Sequence, residues 1–150
     1  MALMTEMSIF EVLFNEARKS HDIRGAVAAC VVDHGEVLAC AASADDGVRH
    51  AEDLLLEKIK KQGVSITPTM TLYTTKEPNT KRTFTDQHQD CTTLIIKAGI
   101  KSVVFGASNS EQHEEVVRRF GQAGITLMQV ADQHLIEESE RIFNATNTET

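Results

Sequence analysis

Two short runs of small and branched apolar residues, 26–32 and 36–42, flank Asp33-His34-Gly35. The tripeptide is a turn signal, so the pair reads as a β-hairpin. Few polar residues interrupt either run, and a strand that is apolar on both sides needs cover on both of its faces. The hairpin must therefore sit inside a layered structure. Strand and helix patterns then alternate along the chain: a helix opened by His50 and ending near Gly63, a strand at 70–74, a helix at 92–98 with Gly99 in the stop position, and a strand at 101–105. A helix at 111–120, a strand at 125–130 and a helix at 132–143 capped by Asp132 complete the series. The pattern predicts an α/β fold, a three-layer α/β/α sandwich around a central mixed sheet of about five strands.

Ahead of the hairpin, Ser8-Ile9-Phe10-Glu11 has the form of a capping box, and Ile9, Val12, Leu13 and Ala17 recur at helical spacing. This predicts a first helix over 8–20. A chain of 150 residues with 41% hydrophobic content can bury one core, so residues 1–150 read as one domain with frayed ends at 1–7 and 144–150.

The net charge of −7 argues against a polyanion-binding surface, since such binding draws its affinity from clustered Lys and Arg. Nucleic acid is not the expected partner. Cys30, Cys40 and Cys91 read as free thiols in a reducing compartment, no apolar run is long enough to span a bilayer, and the chain lacks a leader-like start. The expected location is cytoplasmic.

The chemistry-bearing residues lie between Arg49 and Cys91. His50-Ala51-Glu52 stands at the start of one predicted helix, Glu77-Pro78-Asn79-Thr80-Lys81-Arg82 forms a loop, and Asp90-Cys91 opens another helix. A histidine, a glutamate two positions on and a later cysteine are the parts of a zinc site that activates water for attack on an amidine-like carbon. In that scheme His50 and Cys91 are ligands of Zn2+ and Glu52 moves protons. A helix N-terminus favours the thiolate form that Cys91 needs. For a third ligand the candidates are Asn79, whose amide oxygen is a poor zinc donor, His88, three positions before Cys91, or a water.

Lys76, Lys81 and Arg82 crowd the same loop in an otherwise acidic chain. They read either as a solvated loop or as a cradle for a substrate phosphate. Cys30 and Cys40, in apolar strands, and His21, His34, His113 and His134, in polar surroundings, read as structural or surface residues.

With these residues placed, the stretch from about Ala26 to Val130 resembles the cytidine deaminase superfamily. The segments Thr71-Leu72-Tyr73-Thr74-Thr75-Lys76-Glu77-Pro78, Lys81-Arg82, and Cys91 followed by an apolar helix and Ala98-Gly99-Ile100-Lys101-Ser102-Val103-Val104 are most similar to the riboflavin-pathway pyrimidine deaminases of fungal type. Asn79 stands where that pattern has a cysteine ligand. The resemblance implies zinc-dependent deamination of a diaminopyrimidine ribosyl- or ribitylamino phosphate, with His50 and Cys91 on zinc, Glu52 as proton shuttle, and Ser43 near the substrate. It also implies a homodimer or larger homo-oligomer. The alternative is a repurposed deaminase fold that binds a ligand or partner without zinc, and Asn79 motivates it.

Overall fold

The computed structural model describes residues 4–45, 49–80 and 90–147. The chain runs α1 (Glu6–Ala17), β1 (Ala28–Asp33), β2 (Glu36–Ala42), α2 (Ala51–Lys61), β3 (Met70–Lys76), α3 (Cys91–Ala98), β4 (Ser102–Ala107), α4 (His113–Ala123), β5 (Thr126–Gln129) and α5 (Gln133–Thr146). The strands form one sheet in the order β2-β1-β3-β4-β5. β1 pairs antiparallel with both β2 and β3, whereas β3–β4 and β4–β5 are parallel. The expected mixed five-stranded α/β arrangement is the one observed.

β1 shows why the hairpin lacks alternation. Ala29 and Val31 join one apolar cluster with Leu55, Ile59, Ile95, Val116 and Phe120, drawn from α2, α3 and α4. Ala28, Cys30 and Val32 join the opposite cluster with Ile9, Phe10, Leu13, Phe14, Leu135 and Ile142, drawn from α1 and α5. Successive side chains of a strand leave on opposite faces, so a strand clad by helices on both sides is apolar at every position. The turn places His34 at φ 50 and Gly35 at φ 77, the signs that a two-residue hairpin connection of right-handed twist requires. Cys30 lies opposite Cys40 in this hairpin, and among the described residues no disulfide joins the cysteines. The adjacent Cys40 sulfur and burial hold the Cys30 thiol well above the usual thiol range.

Helix boundaries differ from the expected ones for local reasons. α1 is capped by Thr5, whose hydroxyl accepts from the Ser8 N–H, so the helix starts a turn before the Ser8 capping box and ends at Ala17. α5 continues to Thr146 because the Thr146 hydroxyl accepts from the Ala26 N–H at 2.7 Å, tying the chain end to the start of β1. Both helices therefore reach into segments expected to fray. Among the described residues, no helix is long and apolar enough to cross a membrane.

The parallel crossovers β3–α3–β4 and β4–α4–β5 set the carboxyl ends of β3 and β4 beside the amino end of α3. That is where an open α/β sheet builds sites from the loops leaving its strands.

Candidate functional site

His50 is the residue before the first turn of α2, and its backbone N–H donates to the Asp53 carboxylate at 3.0 Å. Cys91 begins α3, after Asp90, whose carboxylate accepts from the Thr93 N–H at 2.9 Å. The loop after β3 is fastened to the same helix. The Asn79 carbonyl accepts from the Thr92 N–H at 3.0 Å and from its hydroxyl at 2.7 Å. Two helix starts and one loop thus meet at a single point.

There the Cys91 Sγ lies 3.5 Å from His50 Nδ1, and the Asn79 Nδ2 lies 3.4 Å from the same ring atom. Glu52, in the first turn of α2, is buried at 3% exposure. The structure therefore brings together His50, Cys91 and Asn79. Ser43 is also buried, but its hydroxyl accepts from the Val27 N–H at 3.1 Å and lies 3.2 Å from the Ser20 hydroxyl, so it holds the segment leading into β1.

Lys81, Arg82 and His88 lie outside the described residues. Lys76 is not in the loop with them: it ends β3, its ammonium 4.2 Å from the centre of the Phe143 ring, and burial pushes its pKa down. A lysine laid over an aromatic face and partly desolvated is packed against α5, which removes it from the expected phosphate cradle.

Two residues have partners here that the sequence does not announce. The first is Arg24, whose Nη1 lies 2.8 Å from His50 Nε2, while its Nε and Nη2 donate to the Asp22 carboxylate at 3.0 and 2.7 Å. The second is Glu77, whose carboxylate takes hydrogen bonds from the Ser108 hydroxyl at 3.2 Å and the Asn109 N–H at 3.0 Å, and meets His113 Nδ1 at 2.6 Å. His113 is thus a structural partner of the loop that carries Asn79. Both contacts join residues far apart in the chain, and no local spacing announces them.

A zinc ion held tetrahedrally by one sulfur and one nitrogen sets them about 3.6 Å apart, given Zn–S near 2.3 Å and Zn–N near 2.0–2.1 Å. The His50–Cys91 separation matches that edge. Among the described residues the rest of the donor set does not fit. The Asn79 Oδ1 accepts from the Cys91 N–H at 2.8 Å, so the amide turns its NH2 group, a donor, toward His50. Exchanging the amide oxygen and nitrogen would set NH2 against that backbone N–H. Among the described residues, no group of three His, Cys, Asp or Glu could hold a metal ion.

Residues 4–107 match the family described as the cytidine and deoxycytidylate deaminase zinc-binding region. The chain belongs to that family. Among solved structures, the bifunctional diaminohydroxyphosphoribosylaminopyrimidine deaminase and 5-amino-6-(5-phosphoribosylamino)uracil reductase of Thermotoga maritima is 27% identical and superposes with a TM-score of 0.74. The alignment covers 91% of this deaminase-family chain and 38% of the Thermotoga chain. A guanine deaminase from Nitrosomonas europaea (19% identity, TM-score 0.68, covering 97% and 87% of the two chains) shares the fold. The Rib2 deaminase of Aspergillus oryzae (17% identity, TM-score 0.69, covering 95% and 92%) shares it too. No curated protein matched the chain.

Proposed function

We propose that the meeting point of α2, α3 and the loop after β3 binds a pyrimidine nucleotide-like small molecule, of the diaminopyrimidine ribosyl- or ribitylamino phosphate class, and does so without zinc. Family membership and the Thermotoga neighbour support the substrate class. The Asn79 amide carries the metal-free part: its oxygen is committed to the Cys91 N–H, so the third ligand position presents hydrogen-bond donors. Such donors suit the carbonyl oxygens and ring nitrogens of a pyrimidine. A cytoplasmic homodimer or larger homo-oligomer is the assembly we propose, and light scattering of the purified protein checks the copy number.

A second reading is zinc-dependent hydrolytic deamination of the same class of substrate. The 3.5 Å separation of Cys91 Sγ from His50 Nδ1, together with the buried Glu52 carboxylate, favours it. In that reading His88 supplies the remaining ligand and Glu52 moves protons. Elemental analysis of the purified chain beside His88→Ala and Cys91→Ala separates the two. We expect well under one zinc per chain in the parent, and no Glu52-dependent ammonia release from a panel of pyrimidine and pterin-precursor phosphates that nevertheless bind by calorimetry. About one zinc per chain, lost in both variants, with ammonia release abolished by Glu52→Ala, would establish the second reading. Absence of binding across the panel would sink both substrate assignments.

A further inference from the structure

We infer that Arg24 is a positioning residue that fixes His50 with its ring proton on Nδ1 and thereby closes the His50–Cys91 end to divalent metals. This rests on the metal-free reading above and adds a cause at His50 to the one at Asn79. A guanidinium stays charged and has only donors, whereas neutral imidazole has one donor nitrogen and one acceptor nitrogen. Arg24 Nη1 is 2.8 Å from His50 Nε2, within ordinary hydrogen-bond distance, so Nε2 is the acceptor. The proton must then sit on Nδ1, the ring atom that faces Cys91 Sγ at 3.5 Å. The Asn79 amide nitrogen, 3.4 Å from Nδ1, is beyond that range and does not compete for the assignment.

A metal at Nδ1 requires the opposite arrangement. Its lone pair would bind the ion and Nε2 would carry the proton, which ligating histidines ordinarily donate to a carboxylate, a carbonyl or water. Here that proton would point at a second donor. Arg24 is not placed to yield easily: its backbone N–H also donates to Asp22, at 2.9 Å, and Asp22 is 1% exposed with its own N–H on the Ser20 hydroxyl at 3.2 Å. The next residue, Gly25, has φ +117, and a Cβ there would fall 2.3 Å from the Phe143 ring, so α5 packs directly on this loop. Swinging the guanidinium away would strand a buried carboxylate.

The test is a zinc titration of the full chain against a competing chelator, with cobalt(II) absorption reporting thiolate ligation. Arg24→Gln, whose amide oxygen can accept from Nε2–H, should bind zinc at least tenfold more tightly than the parent and develop the cobalt–thiolate band. Arg24→Lys, still only a donor, should stay within twofold of the parent. Should Arg24→Gln fail to fold because Asp22 is left as an unpaired charge, the Asp22→Asn/Arg24→Gln double variant takes its place. Long-range nitrogen–proton NMR on the unmodified protein should put the His50 proton on Nδ1. A proton on Nε2, or folded glutamine variants with unchanged zinc affinity, overturns the inference. Tight zinc binding by the parent would overturn the metal-free reading and the inference with it, whereas a proton on Nε2 in a zinc-free parent overturns the inference alone, so the two failures are distinguishable.

Discussion

Glu77 is a buried carboxylate that ties two loops together near the site. It is 2% exposed, and its two oxygens gather the Ser108 hydroxyl, the Asn109 N–H and His113, fastening the loop after β4 to the residue that precedes Pro78 and Asn79. Truncation leaves those groups without their acceptor. Hydrogen bonds to a charged group contribute about 1.5–3 kcal/mol, and the half-exposed His113 can turn to water, so Glu77→Ala should cost roughly 2–3 kcal/mol. For a domain of this size that lowers Tm by about 5–10 °C, read by circular dichroism. A drop below about 1 °C would show the cluster to be incidental. The glutamate was legible as part of the Glu-Pro loop, but its histidine was not. His113 lies 36 positions away in a polar stretch, and only the parallel pairing of β3 with β4 brings the two together.

At the scale of elements, the amino end of α3 decides where the Cys91 thiol sits. Asp90 caps it through the Thr93 N–H at 2.9 Å and the Thr93 hydroxyl at 2.8 Å, and Arg119 of α4 bonds to the same carboxylate at 3.1 Å. Replacing a capping aspartate by alanine ordinarily costs about 0.5–2 kcal/mol. With Arg119 also losing its partner, Asp90→Ala should fall at the upper end of that range, and Asp90→Asn, itself a good cap, should lose less. Urea midpoints at unchanged m-value measure both, and equal losses would mean that the ion pair rather than the cap does the holding. Helix starts of this kind were readable, because a capping residue before an apolar run is a local signal. α1 shows the limit: Ser8 and Glu11 have the right letters, yet Thr5 makes the cap and accepts from Ser8. Two candidate caps three residues apart look alike until the burial of Ile9 and Phe10 fixes the helix frame.

For the whole molecule, the layer count followed from one property of the hairpin, its continuous apolar character, and the alternation of the remaining elements supplied the helices. The site was legible in part because His50, Glu52 and Cys91 sit at helix starts, whose positions sequence reveals. Arg24 was not, since its role depends on where the 20–26 segment lies relative to α2, a matter of tertiary packing against Phe143. That packing also bears on how stability should respond to metals. The two apolar layers pack helices against both faces of the sheet, and among the described residues no group of three His, Cys, Asp or Glu could hold a metal ion as a structural staple. Where zinc is a staple, its binding free energy is folding free energy, and chelators unfold the protein. Treatment with EDTA should accordingly leave Tm within about 1 °C of its starting value. A bound pyrimidine phosphate should act the other way: at a hundred times its Kd it adds about 2.7 kcal/mol, or about 5–10 °C at this chain length. A fall of several degrees on chelation, reversed by added zinc, would mean that the metal belongs to the folded state and that Arg24 yields to it.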